Sequence, residues 1–285
     1  MARWNRLGTS GNVEDRRGVS RGVATIGGLG GVGLVVFLLI SVFTGGSGDF
    51  GQVLDQLSQA QQPSASGVQP EEFQGADDYE VFVSTVLGST DDLWNEIFAA
   101  NDLAYAEPTL VLFRDSTSSA CGGAYSAVGP HYCSPDATIY LDETFFDELQ
   151  TRFGAQGGDV AEAYVIAHEV GHHVQNRLGI MDDVRRAQSG VSSEEANALS
   201  VKLELQADCF AGVWANSIKE AGVFLPGEIQ EAVDAAAAVG DDRIQEAVEG
   251  EVRPENWTHG SSAQRVEWFT RGFDSGNPSN CDTFS

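Results

Sequence analysis

Positive charge is scarce in this chain. Sixteen lysines and arginines stand against 42 aspartates and glutamates over 285 residues, a formal charge of −26. Such a surface repels nucleic acid and anionic lipid heads, which removes both as partners of the main domain. Cysteine is scarce too. There are four, Cys121, Cys133, Cys209 and Cys281, and no two have CxxC spacing, which argues against a metal site built from cysteines. Histidines number only five, so any two at ligand spacing stand out. No internal repeat is present, and a hydrophobic fraction of 42% excludes wholesale disorder. The longest gap is in charge of either sign: no charged residue occurs from Gly22 to Gly48.

That gap organises the N-terminal part. Residues 1–22 carry five arginines against Glu14 and Asp15, whereas the remainder holds 11 cationic and 40 acidic residues. Between them, residues 23–43 read VATIGGLGGVGLVVFLLISVF. As a helix this run reaches roughly 30 Å, about one hydrocarbon thickness. A cleaved signal peptide would have a shorter apolar core ending in a small-x-small site. The expectation is therefore a basic cytoplasmic N-terminus over 1–22 and a single transmembrane helix over 23–43. A flexible Gly/Ser/Gln/Pro tether follows over 44–77, then a domain over 78–285 outside the cytoplasm at the cell membrane. All four cysteines follow the apolar run, so an oxidising compartment and two disulfides are expected. Of three possible pairings, Cys121 with Cys133 closes a short Gly- and Pro-containing loop, which leaves Cys209 with Cys281.

Within the domain, apolar spacing predicts helices over 79–100 and 159–178, from near Ser192 to about Glu220, over 228–239, and from near Ser261. Ser192 and Glu195 have capping-box spacing. The runs TLVLF (109–113) and TIYL (138–141) predict strands. The fold class is α+β, mostly helical with a small sheet.

The chemistry concentrates at His168-Glu169-Val170-Gly171-His172, an HExxH motif on a predicted helix. Residues i and i+4 share a helical face, so both imidazoles can reach one Zn²⁺. Glu169 lies one step round and can reach a water on the metal, the position of a general base. A catalytic zinc takes three protein ligands and keeps one position open. Glu204 is the candidate third ligand. Asp208, four residues on, could accept a proton from the far nitrogen of a ligand histidine. The apolar residues around this pair (Leu203, Leu205, Ala207, Phe210) speak against a merely solvated acidic face. His173 projects about 100° away from His172 and reads as structural. His259, in a loop before the last helix, could steady an oxyanion or simply hold its loop. His131, beside Pro130, reads as structural.

Several segments together resemble the bacterial neutral zinc metallopeptidase family, whose site is similar to that of the gluzincins. They are SACGGAYSAVGPHYCSPDATIYLD, AYVIAHEVGHHVQNRLG, ELQADCFAGVWA, THGSSAQRVEWFTRGF and the terminal CDTF. One departure is His131, where an aromatic is common before Tyr-Cys. The resemblance implies a zincin-like domain with one Zn²⁺ per chain on His168, His172 and Glu204. It further implies Glu169 as the catalytic glutamate, Asp208 as the aspartate behind a ligand histidine, and a peptide or protein substrate. It also implies an extended substrate along the edge of the strand at 138–141. A membrane binding or regulatory protein with a purely structural zinc is the alternative. Glu169 counts against it, because a structural zinc needs no acid beside an open position.

Overall fold

The computed structural model describes residues 1–8, 11–17, 71–72, 77–126, 129–153 and 157–285. The strands are β1 (Val13–Asp15), β2 (Glu71–Glu72), β3 (Thr109–Phe113), β4 (Ser116–Ser119), β5 (Gly122–Tyr125), β6 (His131–Cys133) and β7 (Thr138–Asp142). Five of them form one sheet in the order β2-β1-β3-β7-β6, and β4 with β5 forms a separate hairpin. β1, β3 and β7 run parallel, with Leu112 level with Leu141, while β2 and β6 are antiparallel edges. The expected substrate strand, β7, is thus paired on both sides, and β6 carries the free edge.

Alternation along the strands sorts the core. Leu110, Leu112, Ile139 and Leu141 face the helices, whereas Val111, Phe113 and Tyr140 face the opposite side with Ala124 of the hairpin and Cys133. Apolar burial on both faces explains why TLVLF reads as a continuous apolar run.

The helices are α1 (Asp78–Ala100), α2 (Thr144–Phe153), α3 (Asp159–Arg177), α4 (Ile180–Gln188), α5 (Ser193–Lys219), α6 (Ile229–Ala238), α7 (Asp241–Glu249) and α8 (Ser262–Ser275). Capping boxes open three of them: Asp77 with Glu80, Ser192 with Glu195, and Ser261 with Gln264. Each box satisfies amides that the helix itself leaves without partners. The sequence pattern missed α2, α4 and α7, short polar helices set between stronger signals.

Both expected disulfides are formed. Cys121–Cys133 ties the hairpin turn to β6, and Cys209–Cys281 ties α5 to the C-terminal segment.

The N-terminal arm is the main difference from expectation. Residues 1–8 and 11–17 pack into the same body as the domain expected to begin at residue 78. Trp4 sits among Phe82, Trp214 and Phe224, and its indole N–H donates to Asp159 at 2.7 Å. Val13–Asp15 adds a strand beside β3, which needs a partner for its outer edge. Arg17, buried to 8% exposure, bridges Asp15, Asp77 and Glu143 at 2.9, 2.6 and 2.9 Å. Arg17 thus answers carboxylates of the domain itself, while Arg16 pairs with Glu14 inside the arm. The apolar run 23–43 lies outside the described residues, as does the tether except for residues 71–72 and 77. Among the described residues, no helix is long and apolar enough to cross a membrane.

Because Arg17 links three segments of chain, Arg17→Ala is expected to lower the unfolding free energy by about 2 kcal/mol, between the values for exposed and buried pairs. Denaturant unfolding monitored by tryptophan fluorescence measures it, and an unchanged midpoint would show the arm to be dispensable.

Candidate metal centre

α3 and α5 pack face to face, and a glycine sets how closely. A Cβ on Gly171 would stand 3.0 Å from both the Cα and the carbonyl oxygen of Ala207. With only hydrogen there, the α3 backbone settles against α5, and the face bearing His168 and His172 meets the face bearing Glu204.

The three candidate ligands converge. His168 Nε2 lies 3.2 Å from one oxygen of Glu204, and His172 Nε2 lies 3.3 Å from the other. The imidazoles stand perpendicular, with centroids 4.8 Å apart. One ligand atom from each of the three residues lies within 4.8 Å of the other two. In a tetrahedral zinc site with bonds of about 2.0–2.1 Å, neighbouring ligand atoms sit about 3.3–3.4 Å apart. Each imidazole thus already stands at about that spacing from one oxygen of the Glu204 carboxylate, His168 from Oε2 and His172 from Oε1.

The outer nitrogens are committed elsewhere, which aims both Nε2 atoms at the shared centre. His168 Nδ1 donates to Asp208 at 2.9 Å. His172 Nδ1 donates to Gln175 Oε1 at 2.8 Å. Gln175 is fully buried and passes its own protons to Leu203 O and Gln206, and Gln206 in turn donates to the carbonyl of Cys281. Asp208 is likewise fully buried and receives the Tyr164 hydroxyl at 2.6 Å and two bonds from Arg265 at 2.8 and 2.9 Å. Oriented histidines of this kind are the usual support of a metal.

The electrostatics favour a cation. Burial lowers the pKa of His168, but the charge of Asp208 and the hydrogen bonds to Asp208 and Glu204 outweigh it and raise the group to about 10. His172 is raised against its own burial by the charge and hydrogen bond of Glu204. Burial opposes the charge on Glu204, yet His172 and His168 hold its carboxyl well below the ordinary range. Without metal, the cage binds protons where a cation would sit.

Glu169 is 7% exposed and has no hydrogen-bond or ion-pair partner among the described residues. His173, as expected, serves structure: Nε2 donates to Ala106 O at 2.7 Å and Nδ1 accepts from Tyr132 at 3.0 Å. Burial pushes its pKa down to about 4. His131 stacks on Tyr140, away from the cage.

His259 is held by Asp241. Its Nδ1 lies 3.1 Å from Asp241, whose other oxygen accepts the backbone amides of Thr258, His259 and Gly260 at 2.8, 2.7 and 2.9 Å. Burial lowers the pKa of His259, but the hydrogen bond to Asp241 and the charges of Glu204 and Asp241 raise it. Sequence reasoning missed Asp241, Gln175, Tyr164 and Arg265. Of these, only Arg265 carried a signal: an arginine four residues before Phe269, on the face of α8 that is buried. An apolar groove of about 650 Å³ between α1, α4 and the C-terminus touches this network at Gln206 and Cys281.

An α+β fold with two histidines and a glutamate from adjacent helices facing one point, and a glutamate beside them, defines a protein built around a metal-binding centre. The chain belongs to the family described as "putative neutral zinc metallopeptidase", whose model matches residues 2–284, and the family implies zinc as the metal. It is 44% identical over 289 residues to "Uncharacterized protein YpfJ" of Escherichia coli (strain K12), covering 99% of this chain and 98% of that protein. It is 47% identical over 207 residues to "Uncharacterized protein Rv2575" of Mycobacterium tuberculosis (strain H37Rv), covering 69% of this chain and 68% of that protein. No solved structure matches it.

Glu204→Ala is expected to leave well under one zinc per chain after dialysis against a weak chelator, as read by atomic emission. His173→Phe, next to a ligand, is expected to retain the metal. Equal zinc content in the two variants would refute the ligand set.

Proposed function

We propose that the chain is a zinc-dependent peptide hydrolase, with one zinc on His168, His172 and Glu204. The observation that carries this reading is the carboxylate of Glu169, without a hydrogen-bond or ion-pair partner among the described residues, beside three converging ligand side chains whose donor atoms all lie within 4.8 Å of one another. A structural zinc site is closed by four protein ligands, and no fourth joins this cluster among the described residues.

The zinc supplies Lewis acidity, which activates water and polarises a carbonyl. The chain's own residues do the rest. Glu169, on the helix that carries both histidines, takes the proton of the attacking water and returns it to the leaving amine. His259 is 37% exposed with Nδ1 against Asp241, and an imidazole so held can donate to an oxyanion. The three amides on Asp241 keep the 258–260 loop from relaxing away. The free edge of β6 can take an extended peptide by strand addition.

The two disulfides support a site of action outside the cytoplasm. Attachment to the cell membrane through residues 23–43 is part of the same proposal and rests on the apolar run alone.

The test is a peptide-library digestion by the full chain beside Glu169→Gln. The variant is expected to keep one zinc and lose about 10²–10⁴-fold in cleavage. Chelation should abolish cleavage by the parent, and zinc should restore it. A zinc-loaded parent that cuts no peptide, or a variant that cuts equally well, would remove the peptidase reading. His259→Ala is expected to cost about 10²–10³-fold in kcat with zinc content unchanged; loss of zinc instead would mark it as part of the metal cage.

A further inference from the structure

Behind the metal cage lies a cation that neither the motif nor the catalytic scheme uses. Arg265 projects from α8 with a side chain only 4% exposed. Its Nε donates to Asp208 Oδ2 at 2.8 Å and its Nη2 to Asp208 Oδ1 at 2.9 Å, a two-pronged grip on one carboxylate. The same Nη2 lies 3.3 Å from the Tyr164 hydroxyl, 3.4 Å from His168 Nδ1 and 3.9 Å from Glu204 Oε2. Nη1 donates to the carbonyl of Val239 at 3.3 Å, which fixes the other end of the fork.

We propose that Arg265 is a positioning residue for the metal centre, holding the Asp208 carboxylate in the one orientation that directs His168 Nε2 at the metal. This rests on the zinc reading above. Asp208 Oδ1 accepts from His168, Tyr164 and Arg265, whereas Arg265 Nε is the partner of Oδ2 among the described residues. Without the fork, that carboxylate can turn about its own bond, and the His168 ring turns with it. A planar guanidinium fixes a carboxylate plane in a way that a single ammonium cannot.

The surrounding backbone is built for this reach. A Cβ on Gly212 would stand 2.1 Å from the carbonyl oxygen of Phe269, and one on Gly272 would stand 2.0 Å from that of Cys209. Glycines on both helices therefore let α8 lie directly on α5, at the level of Asp208. The loop that carries His259 runs into α8, so a single C-terminal segment brings both Arg265 and His259 to the site.

A bystander ion pair would serve stability alone, and zinc affinity separates the two roles. The experiment titrates the full chain and its variants with zinc against a chromophoric chelator, beside thermal unfolding. Arg265→Met is expected to weaken zinc binding about 10–100-fold. Arg265→Lys should recover only part of this, because it keeps the charge and loses the fork. Since the effect runs through Asp208, the double variant Arg265→Met/Asp208→Asn should bind zinc no more weakly than the weaker single variant. Parent-like zinc affinity in Arg265→Met, even with a lower melting temperature, would overturn the proposal, as would losses that multiply in the double variant. If Arg265→Met does not fold, Arg265→Lys decides: several-fold weaker zinc binding supports the role and parent-like affinity refutes it. A parent that binds no zinc would sink the metal reading itself and this inference with it.

Discussion

The contact between Gly171 and Ala207 sets the distance on which the metal centre depends. Two imidazoles four residues apart on one helix are a common arrangement, and they hold a catalytic metal only when a third ligand arrives from elsewhere at bonding range. Here that ligand rides on α5, and α5 can come close enough because the residue between Glu169 and His172 that faces it has no side chain. The same device recurs one layer further out, where Gly212 and Gly272 bring α8 onto α5. Three helices are thus stacked nearly backbone to backbone, and the polar side chains between them have little room to adopt other positions.

Such stacking encloses an unusual amount of polarity. His168, Asp208, Gln175, Asp241 and Arg265 are all buried. Each has partners, and the chains of hydrogen bonds lead outward to the backbone: through Gln206 to Cys281, through Arg265 to Val239, and through Asp241 to the 258–260 loop. A buried polar network is costly when half-satisfied and rigid when complete. The Cys209–Cys281 disulfide pins the far end of one of these chains to α5, about a turn and a half beyond Glu204.

Much of this was legible in the sequence, for reasons that are local. The HExxH spacing lies within one helix, so periodicity alone puts its side chains on one face. Glu204 and Asp208 could be picked out because two carboxylates at i and i+4 lie among apolar residues. The capping box at Ser192 follows from residue type and spacing. What escaped depends on tertiary contact. Asp241 caps a loop 17–19 residues away, Arg265 reaches across to another helix, and Val13–Asp15 becomes a strand only because β3 offers it an edge. Nothing in three residues of a basic arm announces a strand. The arginines around them read as a membrane-flanking cluster until the carboxylates that Arg17 meets are known.

The arm has one more consequence. Asp15 and Glu71 are cross-strand neighbours in β1 and β2, so the stretch of chain between them departs from and returns to a single spot on the molecular surface. Any load on that stretch is taken first by the β1–β2 pair and by the Arg17 clamp, and only then by the helices around the metal cage.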